Sequence, residues 1–455
     1  MAATIAAIAT PPYVGGISII RISGEDAFVV ADRVFRARSG KPLQGRSGYT
    51  AAFGDVLDSD GGSIDESIAT VFHSPKSYTG EDVVELSCHG GLEVTREVLR
   101  AILAAGATLA SPGEFTKRAF LNGKMSLSQA EAVAEFIAAR GREAMNAAKS
   151  QYDGVLDQKI YYMRETLLDI AGHLSAWADY PEEDIPELQP EKLRFLLAEQ
   201  VGQLQQLLAT YDAGLLVREG IDTVIAGRPN VGKSTMMNLL VGGERSIVTS
   251  VAGTTRDIVE ETVNIDGLLL RLSDTAGLRE TEDPVEQIGV ERARTRLESA
   301  SLVLAVFDGS EHLTDDDVSL MHSLKGRPAV AVVNKSDLPL QMDVQPLREN
   351  FPCVLTLTAS DPESYAGLAT AIRQVAGLAD FDASLPILTT ERQRIAAAAA
   401  YSALKEACSA LKMGMTMDAV TISVEAALGA LLELSGERVT EEVVDAVFSH
   451  FCVGK

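Results

Sequence analysis

The residues best suited to chemistry in this sequence form a glycine-rich stretch with a fixed spacing. It has the pattern Gly-x-x-x-x-Gly-Lys-Ser and runs from Gly227 to Ser234. The glycines let backbone N–H groups curl round phosphate oxygens, Lys233 brings positive charge to the β and γ phosphates, and Ser234 offers its hydroxyl to Mg²⁺. Residues 222–226 predict a strand before the stretch and residues 233–240 predict a helix after it, as the motif requires. The stretch therefore predicts a triphosphate-binding loop.

A second motif, Asp-Thr-Ala-Gly, begins at Asp274 directly after the apolar run 268–272. Ligands of doubly wound sheets bind at the carboxyl ends of the strands. We therefore expect Asp274 to hold Mg²⁺ through water and the N–H of Gly277 to sense the γ-phosphate. Alone, such a four-residue pattern is usually a turn, and its position downstream of the glycine-rich stretch is what favours a nucleotide switch.

A third motif, Asn-Lys-Ser-Asp, ends at Asp337 after the apolar run 329–333. The Asp337 carboxylate is able to accept hydrogen bonds from the ring N–H and the 2-amino group of guanine, whereas adenine offers neither donor. The same pattern also occurs in ordinary surface turns. The later loop at 358–360 reads Thr-Ala-Ser instead of the usual Ser-Ala-Lys, so its contact with the base depends on backbone N–H groups. Together the motifs predict selection of GTP over ATP.

Hydrolysis needs a group that orients the attacking water. The residue after Asp-Thr-Ala-Gly is Leu278, where many switch GTPases carry a glutamine for this purpose. A carboxylate is one substitute, and Glu286 on a predicted helix is the candidate. Three other acidic residues are near it in sequence, Glu280, Glu282 and Asp283, so a solvated acidic face is the simpler interpretation.

Hydrolysis also needs positive charge near the phosphates. Thr255, in the turn-forming stretch 253–257, is the predicted additional Mg²⁺ ligand, although a threonine pair in a loop more often forms hydrogen-bonded turns. Many GTPases receive an arginine finger for the transition state. Asn230 offers a side-chain oxygen at the glycine-rich stretch, so a monovalent cation held there with loop carbonyls is a possible alternative.

The pattern of apolar residues divides the chain into three parts. Residues 1–118 carry short apolar runs between Gly, Pro and Ser and predict an α+β domain. Residues 220–380 alternate strands and helices and predict an α/β, Ras-like P-loop domain with a doubly wound, mostly parallel sheet. Residues 119–219 and 381–455 have helical spacing. The economical interpretation is one helical domain with the α/β domain inserted into it, and two separate bundles are the alternative.

Composition limits the possible functions further. The 455 residues include 40 Lys and Arg against 64 Asp and Glu, a net charge of −24, so any contact with nucleic acid must be local. Four cysteines without a Cys-x-x-Cys pair exclude a cysteine-rich zinc site and suit a reducing compartment. The sequence has neither a secretory signal pattern nor an uncharged apolar run long enough for a membrane span. A cytoplasmic location is expected.

Several other stretches carry a family resemblance when they are combined. In chain order they are Ala9 to Pro12, Ile20 to Gly24, Ser77 to Asp82, Pro112 to Thr116, Ala119 to Lys124, Ser128 to Ala132 and Phe451 to Lys455. Together with the nucleotide motifs, which alone would fit many proteins, they resemble the MnmE (TrmE) family of tRNA-modification GTPases over essentially the whole chain.

The resemblance implies an N-terminal domain that is similar to folate-dependent one-carbon enzymes, dimerises, and binds a tetrahydrofolate derivative in a 5-formyl or methylene form. Arg21, Glu85, Lys124 and Lys455 fall on the family's folate-contacting positions. A carboxylate suits the amino-pyrimidinone edge of a pterin, and Lys or Arg suits the glutamate tail. By residue type alone, Arg21 would be an edge-strand charge and Glu85 a solvated strand residue.

For the α/β domain the resemblance implies K⁺-dependent pairing of two copies, with Glu286 in the carboxylate role. Its K⁺ ligands would be Asn230, Thr249, Val251 and Thr254. The resemblance also assigns Cys452 to the modification chemistry, although its apolar neighbours Phe451 and Val453 suit a buried, inert cysteine equally well. The predicted GTP contacts are Asn230, Val231, Gly232, Lys233, Ser234, Thr235, Thr249, Ser250, Val251, Ala252, Gly253, Thr254, Thr255, Asp274, Thr275, Ala276, Gly277, Asn334, Lys335, Ser336 and Asp337.

The implied activity is shared with a flavin-binding partner, MnmG, in a heterotetramer. The two would add an aminomethyl or carboxymethylaminomethyl group at carbon 5 of the tRNA wobble uridine, with folate as the one-carbon donor. This chain has no Gly-x-Gly-x-x-Gly after a strand, which agrees with a flavin bound elsewhere. Two other functions stay open: a ribosome-assembly or regulatory GTP switch without modification chemistry, and a free-standing folate-dependent methyltransferase.

Overall fold

The computed structural model describes residues 3–179, 190–242, 261–274, 296–449 and 451–454. The chain forms two compact units. One consists of Met1–Ala134 with Leu428–Lys455, and the other of Glu135–Ala427. The predicted mixture of α+β, α/β and helical segments is confirmed.

The first unit is built on a seven-stranded sheet. Its strands are β1 (Ile5–Ile8), β2 (Ile17–Ser23), β3 (Phe35–Ala37), β4 (Thr50–Leu57), β5 (Ser63–Phe72), β6 (Val83–His89) and β7 (Thr108–Leu109). The sheet order is β3-β4-β5-β6-β2-β1-β7, and all pairs are antiparallel except β1 with β7. The first helices are α1 (Ala27–Val34), α2 (Leu92–Ala104), α3 (Glu114–Leu121) and α4 (Leu127–Ala138).

One face of this sheet forms the core of the first unit. Alternate residues such as Ile20, Val84 and Leu86 are fully buried with Val98 and Ile102 of α2. Because side chains alternate between the two faces of a strand, Arg21 and Glu85 point to the opposite face. That face carries the folate candidates.

Four helices then precede the second sheet: α5 (Arg142–Tyr152), α6 (Val155–Asp179), α7 (Pro190–Ala209) and α8 (Tyr211–Glu219). The acidic stretch at residues 180–187 lies outside the described residues. Within the described residues no helix is long and apolar enough to cross a membrane.

The second sheet has six strands and is mostly parallel, as predicted. Its strands are β8 (Ile221–Ala226), β9 (Glu261–Ile265), β10 (Leu268–Asp274), β11 (Leu302–Asp308), β12 (Ala329–Asn334) and β13 (Cys353–Thr356). The order is β13-β12-β11-β8-β10-β9, and only β9 runs antiparallel. Its helices are α9 (Lys233–Gly242), α10 (Asp315–Ser323), α11 (Gln345–Asn350) and α12 (Ser364–Val375).

The central strands β11 and β12 are buried along their whole length. Val306 and Val332 belong to the core on one face, and Phe307 and Val333 to the core on the other. This two-sided burial explains the continuous apolar runs in the sequence. Since β8, β11 and β12 are parallel, their carboxyl ends lie at one edge of the sheet, where the predicted motifs begin.

The last helices are α13 (Glu391–Lys412), α14 (Met417–Ser435) and α15 (Glu441–Ser449). Helix α13 begins at Glu391. Thr390 is its N-cap, because the Thr390 hydroxyl accepts a hydrogen bond from the N–H of Gln393 at 3.3 Å. All four cysteines are free thiols.

Candidate functional site

The glycine-rich stretch joins the carboxyl end of β8 to α9, and its backbone is tightly packed. Gly232 has a φ of +101°, and a Cβ there would lie 2.2 Å from Nδ2 of Asn334. Asn230 also has a positive φ, +66°, a conformation that asparagine tolerates better than most residues. The stretch is thus wound into a loop directly against the end of β12. We call residues 227–234 the phosphate loop.

Lys233 and Ser234 open α9 at the mouth of the phosphate loop. The Lys233 ammonium group donates to the carbonyl oxygens of Gly227 at 2.9 Å and Arg228 at 3.0 Å. Ser234 and Thr235 are exposed in the first turn of the helix. A positive side chain, a helix N-terminus and an exposed hydroxyl at one place form a suitable environment for a Mg²⁺-bound phosphate.

The Asn-Lys-Ser-Asp motif lies beside the phosphate loop. The buried Asn334 side chain donates through Nδ2 to the carbonyl oxygen of Val231 at 2.8 Å. Its Oδ1 accepts from the N–H of Ala359 at 2.8 Å. One amide therefore connects the phosphate loop, the end of β12 and the 358–360 loop. The Ala359 N–H is already committed to Asn334.

Asp337 and Lys335 differ in exposure and partners. Asp337 is exposed, and its Oδ1 accepts from Oγ1 of Thr358 at a long 3.3 Å. The Lys335 ammonium group is 2.5 Å from Oδ2 of the buried Asp308. Burial acts to raise the pKa of Asp308, but hydrogen bonds from Lys335 and Ser310 outweigh it, so the pKa lies below its ordinary value. Asp308 is held as an anion, and Asp337 is available to a ligand.

Asp274 closes β10 and is paired in register with Ile225 of the neighbouring parallel strand β8. Its backbone therefore lies beside the start of the phosphate loop. The other predicted residues of this region lie outside the described residues, and so does the C-terminal lysine. They are Thr249, Ser250, Val251, Ala252, Gly253, Thr254, Thr255, Thr275, Ala276, Gly277, Glu286 and Lys455.

In the first unit, Arg21 and Glu85 are direct cross-strand partners on β2 and β6. Nε of Arg21 donates to Oε1 of Glu85 at 2.8 Å. The Arg21 guanidinium also lies 5.3 Å from the ring centre of Tyr78 and 5.4 Å from that of Phe115. Because β2 lies between β6 and β1, the expectation of an edge-strand charge at Arg21 is wrong, and Glu85 is paired instead of merely solvated.

Lys124 reaches the segment that joins β5 to β6. Its ammonium group donates to the carbonyl oxygen of Pro75 at 3.0 Å. Tyr78, in the same segment, contacts Arg21 through its ring and exchanges a 2.8 Å hydrogen bond with Thr116. Arg21 and Lys124 thus both contact the segment that joins β5 to β6, and Glu85 is linked to it through its pair with Arg21.

The C-terminal tail belongs to the same unit. Gly454 is buried with a φ of +96°, and a Cβ there would lie 2.2 Å from the carbonyl oxygen of Ile8. Its own carbonyl oxygen is 3.5 Å from Nη1 of Arg21. Cys452 is exposed, so the alternative of a buried cysteine is wrong. The tail therefore contacts Arg21 through Gly454, and the carbonyl oxygen of Cys452 accepts from the N–H of Gly113 at 3.4 Å.

A largely buried polar network in the same unit was not predicted from the sequence. The Ser23 hydroxyl donates to Oε2 of Glu81 at 2.7 Å, and Nη1 of Arg118 is 3.1 Å from Oε1 of the same carboxylate. Arg118 also pairs with Glu114 at 2.8 Å. Glu81 and Glu114 belong to stretches that carry the family resemblance, and this was the one feature of the sequence that could have pointed to the network.

Known proteins match the chain over its full length. The family model described as GTP-binding protein TrmE N-terminus matches residues 4–124, and the one described as MnmE helical domain matches residues 127–452. The tRNA modification GTPase MnmE of Heliobacterium modesticaldum is 44% identical over 99% of both chains. The protein of the same name from Symbiobacterium thermophilum is 45% identical over 99% of both.

The chain belongs to the MnmE family. Its role as a GTP hydrolase in tRNA modification follows from that membership. Among solved structures, the G domain of the T. maritima FeoB iron transporter is 22% identical to this chain. The match covers 34% of this chain and 98% of the FeoB chain. Its TM-score of 0.27 is too low to support an inference. As an MnmE-family GTPase, the chain binds GTP.

Proposed function

We propose that this MnmE-family chain is the GTP-hydrolysing subunit of a tRNA-modification system and that flavin-binding MnmG is its partner. Together the two proteins would add an aminomethyl or carboxymethylaminomethyl group at carbon 5 of the tRNA wobble uridine. The observation that carries the proposal is the match to MnmE proteins over 99% of the chain. The chain would form an α+β domain at 1–118, a helical domain at 119–219 with 381–455, and a GTPase domain at 220–380. We also propose a cytoplasmic location, in keeping with a tRNA substrate.

Mass analysis of tRNA hydrolysates tests this function directly. In cells that lack this chain, we expect the modified wobble uridine to disappear and to return when the chain is supplied. Restoration should fail with a chain that carries Lys233→Ala, because hydrolysis is required. Unchanged wobble nucleosides in the deletion would contradict the proposal and favour a regulatory or ribosome-assembly switch.

In the GTPase domain, each motif residue has a proposed task. Backbone N–H groups of the phosphate loop and Lys233 hold the phosphates, and Asp337 selects guanine. Ser234 and Thr255 would hold Mg²⁺, with Asp274 acting through water. The exposed hydroxyl of Ser234 beside Lys233 supports this arrangement. The remaining predicted contacts at 230–235, 249–255, 274–277 and 334–337 would complete the site.

For hydrolysis we propose Glu286 as the water-orienting carboxylate and K⁺, held by Asn230, Thr249, Val251 and Thr254, as the neutralising charge. Asn230 is exposed at the tip of the phosphate loop, where its side-chain oxygen is accessible. Glu286→Ala should retain GTP binding and lose at least about 100-fold in turnover, since only the chemical step is affected.

Exchange of K⁺ for Na⁺ should also slow turnover. Equal loss of binding and turnover, or indifference to the cation, would contradict these roles.

For the first unit we propose a site for tetrahydrofolate in a 5-formyl or methylene form, formed by Arg21, Glu85, Lys124 and Lys455. The cross-strand pair of Arg21 and Glu85 between two aromatic rings supports it, because rings flank planar ligands while the charges fix their orientation. Cys452 would act in the modification chemistry next to this site. The folate supplies the one-carbon group when it is bound.

Glu85→Gln tests the folate site. The variant removes the anionic acceptor, so 5-formyltetrahydrofolate should bind about tenfold more weakly in calorimetric titration. Glu66→Gln is the matched control, since Glu66 pairs with Arg38 at 2.5 Å in the same sheet but is exposed. Unchanged affinity in Glu85→Gln, or equal weakening in both variants, would argue against the assignment.

We also propose that the chain is a homodimer that joins MnmG in a heterotetramer. The sheet face opposite α2 carries Phe53 and Ile68, which are cross-strand partners and are about half exposed. An apolar pair on an open sheet face suits contact with another chain. Sedimentation equilibrium of the isolated chain should give twice its 48.4 kDa, and a monomer mass would contradict the homodimer.

A further inference from the structure

The segment that follows β11 contacts both halves of the nucleotide site. Residues 308–311 read Asp-Gly-Ser-Glu, and we call them the bridging segment. Asp308 pairs with Lys335 of the base motif at 2.5 Å, and the N–H of Gly309 donates to the carbonyl oxygen of Asn334 at 2.9 Å. At its other end, Glu311 accepts from Nη2 of Arg228 in the phosphate loop at 2.6 Å. The bridging segment thus links the phosphate loop to the base motif.

Arg228 is held more firmly than a typical surface arginine. Its side chain is only 17% exposed, and besides Glu311 it has Nε 3.3 Å from Oδ2 of Asp317, whose side chain is fully buried. Asp317 is itself fixed, because its Oδ2 accepts from the N–H and the hydroxyl of Thr314 in the capping box of α10. The Arg228 guanidinium therefore lies between the exposed Glu311 and the buried Asp317, and the helix cap fixes the position of Asp317.

The backbone of Arg228 lies at the point where nucleotide phosphates would bind. Its carbonyl oxygen accepts from the Lys233 ammonium group at 3.0 Å. Three residues further along, the carbonyl oxygen of Val231 is fixed by Asn334. The phosphate loop is therefore attached at two places, to the bridging segment and α10 by Arg228 and to the end of β12 by Asn334.

We propose that Arg228 and Glu311 are positioning residues that keep the phosphate loop in the curvature needed for nucleotide binding. The inference rests on the proposed assignment of that loop as the GTP site. Neither residue touches the nucleotide in this account. They act by reducing the number of conformations that the loop must give up when it closes round the phosphates.

This role predicts a particular kinetic pattern. The same loop N–H groups contact GTP before and during hydrolysis, so a loosened loop weakens binding of both states equally. Loss of the Arg228–Glu311 pair should raise the Kd for nucleotide and the KM for GTP by about fivefold and leave kcat within about twofold of its original value. A purely structural pair would instead lower the Tm and leave Kd and KM unchanged.

The test is a double-mutant cycle on the full-length chain, measured by titration with a fluorescent GDP derivative, GTP turnover and thermal unfolding. The variants are Arg228→Ala, Glu311→Ala and their combination. Arg271→Ala is the matched control, since Arg271 pairs with Asp222 at 2.7 Å near the opposite end of β8. We expect Glu311→Ala to weaken binding, Arg228→Ala to weaken it at least as much because Asp317 also loses its partner, and the double variant to bind no more weakly than Arg228→Ala. The control should bind as the wild type does.

Two results would overturn the proposal. In the first, the single variants keep the wild-type Kd and KM. In the second, the fold-increase in Kd of the double variant equals the product of the fold-increases of the two single variants. If the unmodified chain itself failed to bind the GDP derivative, the assignment of the GTP site would fail instead, so the two failures are distinguishable.

Discussion

Replacing Lys233 by Ala should abolish GTP hydrolysis, with a loss of at least about 1,000-fold in kcat/KM. In the structure its ammonium group lies across the mouth of the phosphate loop, within 3.0 Å of two loop carbonyl oxygens. When phosphates occupy the loop, this charge faces the β and γ oxygens, where negative charge increases as the bond breaks. Without it the loop offers only neutral N–H groups, which explains the size of the expected loss. Phosphate release from GTP measures the effect.

Lys325→Ala is the control for Lys233→Ala. Lys325 is exposed just beyond α10 in the same unit, so the change in net charge is identical. The control should hydrolyse GTP at the wild-type rate. If Lys233→Ala retained turnover within about tenfold of wild type, the phosphate loop would not be the catalytic site that we propose.

Replacing Asp337 by Asn should convert the base preference from guanine to xanthine. The Asp337 carboxylate has two acceptor oxygens, one for each guanine donor. An asparagine amide has only one acceptor oxygen, and its NH₂ group would face the 2-amino group of guanine, donor against donor. Xanthine carries a carbonyl oxygen at that position, which matches the amide donor. A polar group that is buried without a hydrogen-bond partner makes the binding free energy less favourable, so GDP affinity should fall by about 100-fold or more. Xanthosine diphosphate should then bind better than GDP.

Competition against a fluorescent GDP derivative measures both affinities. Asp361→Asn is the matched control, because Asp361 is exposed in the next loop and its carboxylate accepts from the N–H of Glu363 in the same turn at 3.0 Å. It should keep the preference for GDP. An Asp337→Asn chain with the wild-type ratio of GDP to xanthosine diphosphate affinity would show that another group selects the base.

The sheet of the GTPase domain was predictable because burial on both faces leaves a clear sequence pattern. Residues 302–307 and 329–333 are continuous apolar runs, and they form β11 and β12. The motifs then follow at the ends of those strands. Terminal residues were less predictable, as at Thr390, where a capping hydrogen bond and not side-chain periodicity sets the start of the helix.

Long-range pairings were not predictable in the same way. Arg21 and Glu85 are 64 residues apart and meet only because β2 and β6 pair in one particular register. Residue type alone favours solvent for both, and the family resemblance supplied the link. The pairing of Arg228 with Glu311 has the same origin, since it depends on where the chain turns after β11. Local patterns indicate which side chains share a face but not which distant strands pair, so these contacts do not follow from them.

Calorimetric titration of the full-length chain with GDP and with ADP, each with Mg²⁺, tests the central claim most directly. We expect saturable heat with GDP and an ADP affinity at least about 100-fold weaker, because adenine lacks the ring N–H and 2-amino donors that Asp337 accepts from in guanine. Equal affinity for the two nucleotides, or no binding of GDP at all, would contradict the claim that this chain selects guanine nucleotides at its phosphate loop.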